Sequence, residues 1–123
     1  MKKLRMILLA AIACCAFTLP VAASDLAGTW SGPWYRGMTS GTMMLEIDSE
    51  GAGTVQFTNL ENFGDSAVNL SKVEVNERRF SFSASGEGAG VFVARSELLN
   101  GGKVLKGEGE FEGFPIKFKL KRR

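Results

Sequence analysis

Few residues of this sequence could take part in catalysis, and the residue types that are missing exclude most enzymatic mechanisms. Histidine is absent, and both cysteines, Cys14 and Cys15, lie in an amino-terminal segment interpreted below as a cleaved signal. These absences exclude a Ser-His-Asp triad, a cysteine nucleophile and a zinc site of thiolates and imidazoles. Asp48 and Glu50 could form a two-carboxylate or calcium site, but solvation of a turn explains the pair more simply. We therefore expect no enzyme, no catalytic residue, no metal site and no cofactor.

The residues best suited to binding are aromatic. Both tryptophans and the only tyrosine lie in one short segment, in which Trp34, Tyr35 and Arg36 lead into a turn that contains glycine. Aromatic residues and arginine are enriched at the energetic centres of protein interfaces. Phe63 is the one large aromatic residue of a long irregular segment. Trp34, Tyr35 and Phe63 are therefore candidate ligand-binding residues, and the equally good alternatives are that Trp34 belongs to the core and that Phe63 plugs a barrel end.

Residues 1–23 have the three regions of a secretory signal peptide. Three basic residues begin the segment, residues 6–19 are mainly apolar, and Val21-Ala22-Ala23 supplies small residues for cleavage. The apolar run is shorter than the roughly 18 residues that a membrane-spanning helix needs. We predict cleavage after Ala23, a periplasmic or secreted bacterial product, and one domain over residues 24–123.

A lipoprotein is the alternative to simple cleavage. The segment Ala11-Ile12-Ala13-Cys14 loosely resembles a bacterial lipobox, and processing there would leave the chain anchored through a lipid on Cys14. Alanine stands at the position that leucine usually holds, so the site after Ala23 is the better match.

The charge of the predicted mature chain is close to neutral. Residues 24–123 carry 12 Lys and Arg against 13 Asp and Glu, which gives a net charge of −1. A nucleic-acid-binding domain normally has a clear basic excess, so we expect no nucleic-acid partner. With both cysteines removed, no disulfide can form, and stability must come from a well-packed core.

The residue pattern of this domain predicts an all-β fold. Apolar and polar residues alternate in short runs that Gly, Asn, Asp and Ser interrupt about every ten residues. Eight such runs follow one another, and the fourth covers residues 67–75 with a bulge near Ser71 and Lys72. A meander of this kind forms a closed barrel or a two-layer sandwich, and closure removes exposed strand edges. We expect an eight-stranded antiparallel up-and-down β-barrel.

Matching the apolar faces of neighbouring strands gives each hairpin a predicted register. The predicted inward pairs are Ile47 with Val55, Val73 with Phe80, and Phe82 with Phe92. The same alternation points Ala84, Ala94, Ser96, Gly107 and Gly109 inward. Because these residues are small, they could leave a pocket, and Ser96 becomes a fourth candidate for ligand binding. The alternative is a packed core, which the many large aromatic residues of the interior favour.

In the last hairpin, three glutamates of the seventh strand alternate against three lysines of the eighth. Folding about Phe114 and Pro115 satisfies all three in one register, which pairs Glu112 with Lys117, Glu110 with Lys119, and Glu108 with Lys121. Opposite charges across strands contribute only about 0.2–1 kcal/mol per pair. This register predicts a solvated outer face that neutralises itself and is neither an acidic site nor a lysine-rich binding patch.

The two ends of the chain are expected to meet where the barrel closes. Arg122 has the inward parity of the last strand and Trp30 lies near the start of the first, so the guanidinium can stack on the indole. Gly28-Thr29-Trp30 resembles the Gly-x-Trp signature that opens the first strand of lipocalins and other calycins. In that superfamily an arginine of the last strand packs over the tryptophan. The resemblance implies that Gly28, Trp30 and Arg122 close the barrel.

Two binding functions are compatible with such a barrel. An eight-stranded barrel is just wide enough to be filled by side chains or to hold one small ligand. We predict an exported, non-catalytic protein that binds a small apolar ligand in or at the mouth of the barrel. The alternative is a protein-binding module, such as an inhibitor of an exported hydrolase, that would act through its loops and the open end.

Overall fold

The computed structural model describes residues 23–88 and 90–123, with side chains from Asp25 onward. The predicted signal peptide and the lipobox at Cys14 lie outside the described residues, apart from Ala23. The elements are a short helix α1 (Ala23–Leu26), nine strands and a 3-10 turn (Asn100–Gly102). The strands are β1 (Gly28–Arg36), β2 (Thr39–Ile47), β3 (Gly53–Phe57), β4 (Val68–Asn69), β5 (Ser71–Asn76), β6 (Arg79–Ser85), β7 (Val91–Leu99), β8 (Val104–Phe111) and β9 (Phe114–Arg122). None of the helices in this part of the chain is long and apolar enough to cross a membrane.

All nine strands form one antiparallel sheet that curls into a nearly closed barrel. The strand order is β4-β3-β2-β1-β9-β8-β7-β6-β5, so the first long strand pairs with the last. The prediction of eight strands is wrong by one, because the predicted fourth strand breaks at Leu70. Its first part pairs with β3 and its second part pairs with β6. One residue thus links the two ends of the sheet.

The break has a local cause in the backbone. Lys72 has a φ of 51°, and the β5–β6 register shifts between Ser71 and Glu74. The amide of Leu70 donates to the carbonyl of Gly53 at 2.9 Å, and the Ser71 hydroxyl donates to the Ser83 carbonyl at 3.2 Å. A bulge turns a strand and increases its twist. Here the first part of one run of residues pairs with β3 and the second part pairs with β6.

The alternation of apolar residues places them inside the barrel. Of the large apolar residues that the alternation of the sequence points inward, Val73 is only partly buried and the others are buried. These are Trp30, Trp34, Met43, Leu45, Ile47, Val55, Phe57, Phe80, Phe82, Phe92, Leu98, Leu105, Phe111, Phe118 and Leu120.

The predicted hairpin registers are each displaced by an even number of residues. The true pairs are Leu45 with Val55, Val75 with Phe80, and Phe82 with Ala94. An even shift keeps every side chain on its own face, whereas a shift of one residue would move it to the other face. The alternation therefore places these side chains on the correct face, while their predicted cross-strand partners are wrong.

The last hairpin has the largest displacement, four residues. It turns at Glu112 and Gly113, whose φ angles are 55° and 81°, and Phe111 pairs with Phe114. Two central residues with positive φ define the tight turn whose twist matches that of the flanking strands. Of the three predicted Glu–Lys pairs none forms as predicted. The observed pairs are Glu108 with Lys117, Lys106 with Lys119, and Val104 with Lys121.

Candidate binding surface

One end of the barrel is covered by Arg122, Trp30 and α1. The Arg122 guanidinium carbon lies 4.3 Å from the centre of the Trp30 ring, a distance at which a cation attracts the indole face. The guanidinium donates to the carbonyls of Asp25 and Ala27 at 2.7 Å, and the indole N–H of Trp30 donates to the Leu26 carbonyl at 2.9 Å. These bonds tie the segment before β1 across the barrel end.

Gly28 lies against the Arg122 side chain at this end of the barrel. Its φ is 132°, a conformation that residues with a side chain rarely adopt, and a Cβ there would lie 3.1 Å from Nη1 of Arg122. The structure therefore brings Gly28, Trp30 and Arg122 together at one place. The Trp30 ring is buried at this end, the Arg122 guanidinium crosses it, and the side-chain nitrogens described above donate to backbone carbonyls.

The opposite end is filled by Phe63. This side chain is fully buried, with its ring 4.9 Å from that of Phe57 and 5.5 Å from that of Phe111. Its carbonyl accepts a hydrogen bond from the Glu87 amide at 2.8 Å. A Cβ on Gly86 would come within 2.8 Å of the Phe63 ring, so glycine is needed for this close approach. Phe63 is a plug of the barrel end, which was the alternative interpretation of this residue.

The interior between these ends is occupied by aromatic rings. Trp34 is fully buried, and its indole N–H donates to the Thr58 carbonyl at 3.0 Å. Edge-to-face and tilted contacts at 4.9 to 6.4 Å join its ring into one cluster. Such contacts add to the stability gained from burial. The cluster consists of Trp34, Phe57, Phe63, Phe80, Phe82, Phe92, Phe111 and Phe118.

The same rings fill the space above the small inward residues. A Cβ on Gly107 would lie 2.7 Å from the Phe118 ring, and one on Gly109 would lie 2.9 Å from the Phe92 ring. Ser96 is buried, and its hydroxyl donates to the Phe80 carbonyl at 2.7 Å. The small residues make room for phenylalanine rings here, and a pocket does not follow from their size.

Asp48 stabilises the β2–β3 turn through hydrogen bonds to its backbone. One of its carboxylate oxygens accepts hydrogen bonds from the amides of Glu50 at 2.8 Å and Ala52 at 3.0 Å. An aspartate that binds the backbone of its own turn is a common device for stabilising that turn. These bonds give a local reason for the Asp48 and Glu50 pattern.

An open groove of about 720 Å³ lies on the outside of the barrel, across β6, β7, β8, β9 and β1. We call it the outer groove. It contains five cationic side chains and two carboxylates, with Tyr35 at the β1 side. Tyr35 is half exposed and is thus the one candidate ligand-binding residue with a free surface. The lining residues are Tyr35, Arg79, Arg95, Ser96, Glu97, Leu99, Lys106, Gly107, Glu108, Lys117, Phe118 and Lys119.

In the outer groove, the outward lysines of β9 outnumber the carboxylates that lie opposite them on β8. Glu97 lies between Arg79 and Lys106, and Glu108 lies between Arg95 and Lys117. Lys119 has Lys106 opposite, and the outward residue beyond it, Lys121, has Val104 and Ser31 as its neighbours. The sequence does not predict this surface, because the predicted register of the last hairpin pairs each outward lysine of β9 with a glutamate.

Exposed apolar side chains lie beside this groove. One cross-strand row of the groove contains Tyr35, Lys117, Glu108 and Arg95, and the next row contains Pro115, Glu110 and Val93. The Arg36 guanidinium lies 5.1 Å from the Phe114 ring centre at the adjacent turn. We call the exposed apolar residues at this end the rim patch. They are spread over β1, the β1–β2 turn, β7 and β9, with Glu110 between Val93 and Pro115. The rim patch consists of Tyr35, Met38, Val91, Val93 and Phe114.

Comparison with known proteins supports the architecture. The chain is similar to the solved structure of a redesigned β-barrel, with a TM-score of 0.60 and 19% sequence identity over 87% of this chain and 99% of that one. At this identity the likeness shows the fold alone. No model of a known protein family matches the chain, and no curated protein matches it. The comparisons do not confirm the resemblance to lipocalins.

Proposed function

We propose that this protein is an exported, non-catalytic binding protein that contacts a partner protein through the outside of its barrel. The observation that carries the proposal is the outer groove with its adjoining rim patch. Exposed apolar groups that adjoin charged residues are typical of surfaces that bind other proteins. Tyrosine and arginine, the types enriched at interface hot spots, are both present in the groove.

The packing of the interior argues against the other prediction, a small apolar ligand held in the barrel. Such a ligand would have to displace rings that contact one another, and creating a cavity in a packed core costs several kcal/mol. A ligand at the mouth would have to displace Phe63 at one end or the Arg122 hydrogen bonds at the other. The alternative, a protein-binding module such as a hydrolase inhibitor, agrees better with this packing.

Chemical cross-linking tests the proposal. The processed protein, purified after export, is mixed with the exported proteins of its own source and cross-linked. We expect a defined heterologous complex that substitution in the outer groove, such as Arg95→Gln with Tyr35→Ala, reduces. Lys72→Gln is the matched control, because Lys72 is an exposed cation on β5, outside the groove.

Native mass spectrometry of the same preparation tests the competing function. If a small apolar molecule is retained at one equivalent per chain and resists removal, the partner-protein proposal is wrong. The proposal also fails if no complex forms, or if the groove variant and the Lys72 control give the same complex.

A further inference from the structure

We propose that the outer groove and the outward lysines of β9 bind an acidic segment of a partner protein in extended conformation. The proposal deepens the function proposed above and rests on it. The outward lysines are Lys117, Lys119 and Lys121, which alternate along the strand next to β1. They would contact carboxylates of the partner segment, while Tyr35 and the rim patch contact its apolar side chains.

The first step of the argument is the pair formed by Lys106 and Lys119. These residues lie directly opposite each other on the outer face, and like charges in this position destabilise a sheet. Glu97 on β7 faces Lys106 from the other side, whereas the residue of β8 opposite Lys119 is a lysine and the one opposite Lys117 is Glu108. A carboxylate from a partner, placed between the two lysines, would offset the same repulsion on binding.

The second step is the spacing of the lysines. Alternate residues of a strand point to the same side at a separation of about 7 Å, since each residue advances about 3.4 Å. Any extended polypeptide has the same repeat. An acidic segment with carboxylates at every second position therefore matches the three lysines in register when it lies along β9.

The third step is the chemistry that surrounds the lysines. Phosphate-rich partners favour a surface of uniformly positive charge, whereas this groove includes Glu97 and Glu108 among its cations. β1 contributes uncharged outward residues on the other side of β9, namely Ser31, Pro33 and Tyr35. Charges of both signs beside exposed apolar side chains are found together in protein interfaces. An acidic polypeptide fits this surface better than a nucleic acid or an anionic membrane.

The experiment uses a fluorescent peptide of alternating glutamate and valine, nine residues long to match β9. Binding to the processed protein is measured by fluorescence anisotropy, beside a peptide in which glutamine replaces glutamate. We expect only the acidic peptide to bind, and we expect added salt to weaken its binding because the contacts are exposed ion pairs. The double variant Lys117→Gln with Lys119→Gln should weaken binding about tenfold, while Lys72→Gln should leave it unchanged.

The variant Lys119→Glu distinguishes a loss of binding from a loss of folding. The new carboxylate faces Lys106, so this variant should melt at a higher temperature than the unmodified protein and still lose affinity for the acidic peptide. A protein that is more stable and binds less cannot owe its loss of binding to unfolding.

Several outcomes would overturn the inference. Equal binding of the glutamine peptide would show that carboxylates are not recognised. Tighter binding of a single-stranded oligonucleotide or of phosphatidylglycerol vesicles would point to another class of partner. Equal binding by Lys119→Glu and the unmodified protein would place the site elsewhere. If the acidic peptide fails but the cross-linked complex persists, only this inference is wrong; if the complex is absent, the proposed function itself fails.

Discussion

Arg122 and Trp30 show how a single side-chain contact can define one end of a barrel. Arg122 stacks on the indole and also donates to carbonyls of the segment that precedes β1 and of the 3-10 turn before β8. A guanidinium has five donors in a fixed plane, so it can hold several carbonyls and stack on a ring at the same time. The contact joins the first and last strands and thereby contributes to stability.

Loss of Trp30 should destabilise the protein strongly. Trp30→Ala removes a fully buried ring, and we expect the free energy of unfolding to fall by about 3–5 kcal/mol. Tyr35→Ala is the control on the same strand, because Tyr35 is half exposed and its loss should change stability by no more than about 0.5 kcal/mol. Denaturation in urea measures both. Equal stability of Trp30→Ala and the unmodified protein would contradict the closure role.

Two charge reversals on β9 test the register of the last hairpin. Lys119→Glu places a carboxylate opposite Lys106 and should raise the free energy of unfolding by about 0.2–1 kcal/mol. Lys117→Glu faces Glu108 and should lower it by a similar amount. In the register predicted from sequence, both lysines face glutamates and both reversals would destabilise. Urea denaturation at low salt thus decides between the two registers.

The hairpin of β8 and β9 determines which charges meet on the outer face. Its turn needs positive φ at Glu112 and Gly113, and the side chain of Glu112 accepts a hydrogen bond from Asn62 at 3.3 Å. Moving the turn by two residues changes every cross-strand pair while leaving each side chain on its face. The cationic outer groove is therefore a consequence of turn geometry as much as of composition.

Gly113→Ala should weaken this hairpin. No atom lies within 4 Å of a Cβ built there, so the effect comes from the backbone alone. An alanine at φ 81° costs about 1–2 kcal/mol, and we expect that loss in the free energy of unfolding. Gly113→Asn should lose less, because asparagine adopts this conformation more readily. A loss that is the same for both variants would contradict a requirement for left-handed backbone.

At the scale of the whole molecule, a near-neutral chain carries an uneven distribution of charge. The outer groove holds five cations and two carboxylates, although residues 24–123 together have a net charge of −1. Net charge is informative about solubility and long-range attraction, but local potential depends on which residues the fold brings together. Binding to an acidic partner is therefore compatible with a domain of this net charge.

Export can be tested on the whole chain. When the full sequence is expressed in a bacterial host, we expect the mature protein to begin at Ser24, since the cleavage site follows Ala23. The bonds that Arg122 and Trp30 make to the segment before β1 are to Asp25, Leu26 and Ala27, so they remain after cleavage. Mass spectrometry of the secreted or periplasmic fraction measures the terminus. A lipid-modified chain that begins at Cys14 would show that the lipoprotein alternative is right.

The sequence by itself determined the fold class and the inward face of nearly every strand. A period of two residues is a local property, so Phe57, Phe92 and Leu120 can be placed inside without knowing their neighbours. The meeting of Trp30 with Arg122 also follows once the meander closes into a barrel, because closure brings the first and last strands together.

Only the tertiary structure decided the register, the number of strands and the binding surface. Registers that differ by an even number of residues satisfy the same alternation, so the pattern could not separate Glu110 opposite Lys119 from Lys106 opposite Lys119. Positive φ angles at Lys72, Glu112 and Gly113 set the bulge in β5 and the turn of the last hairpin. Hydrophobic alternation carries no information about these angles. Whether small residues leave a pocket depends on which rings reach them, and Phe92 and Phe118 fill that space only when the whole barrel is assembled.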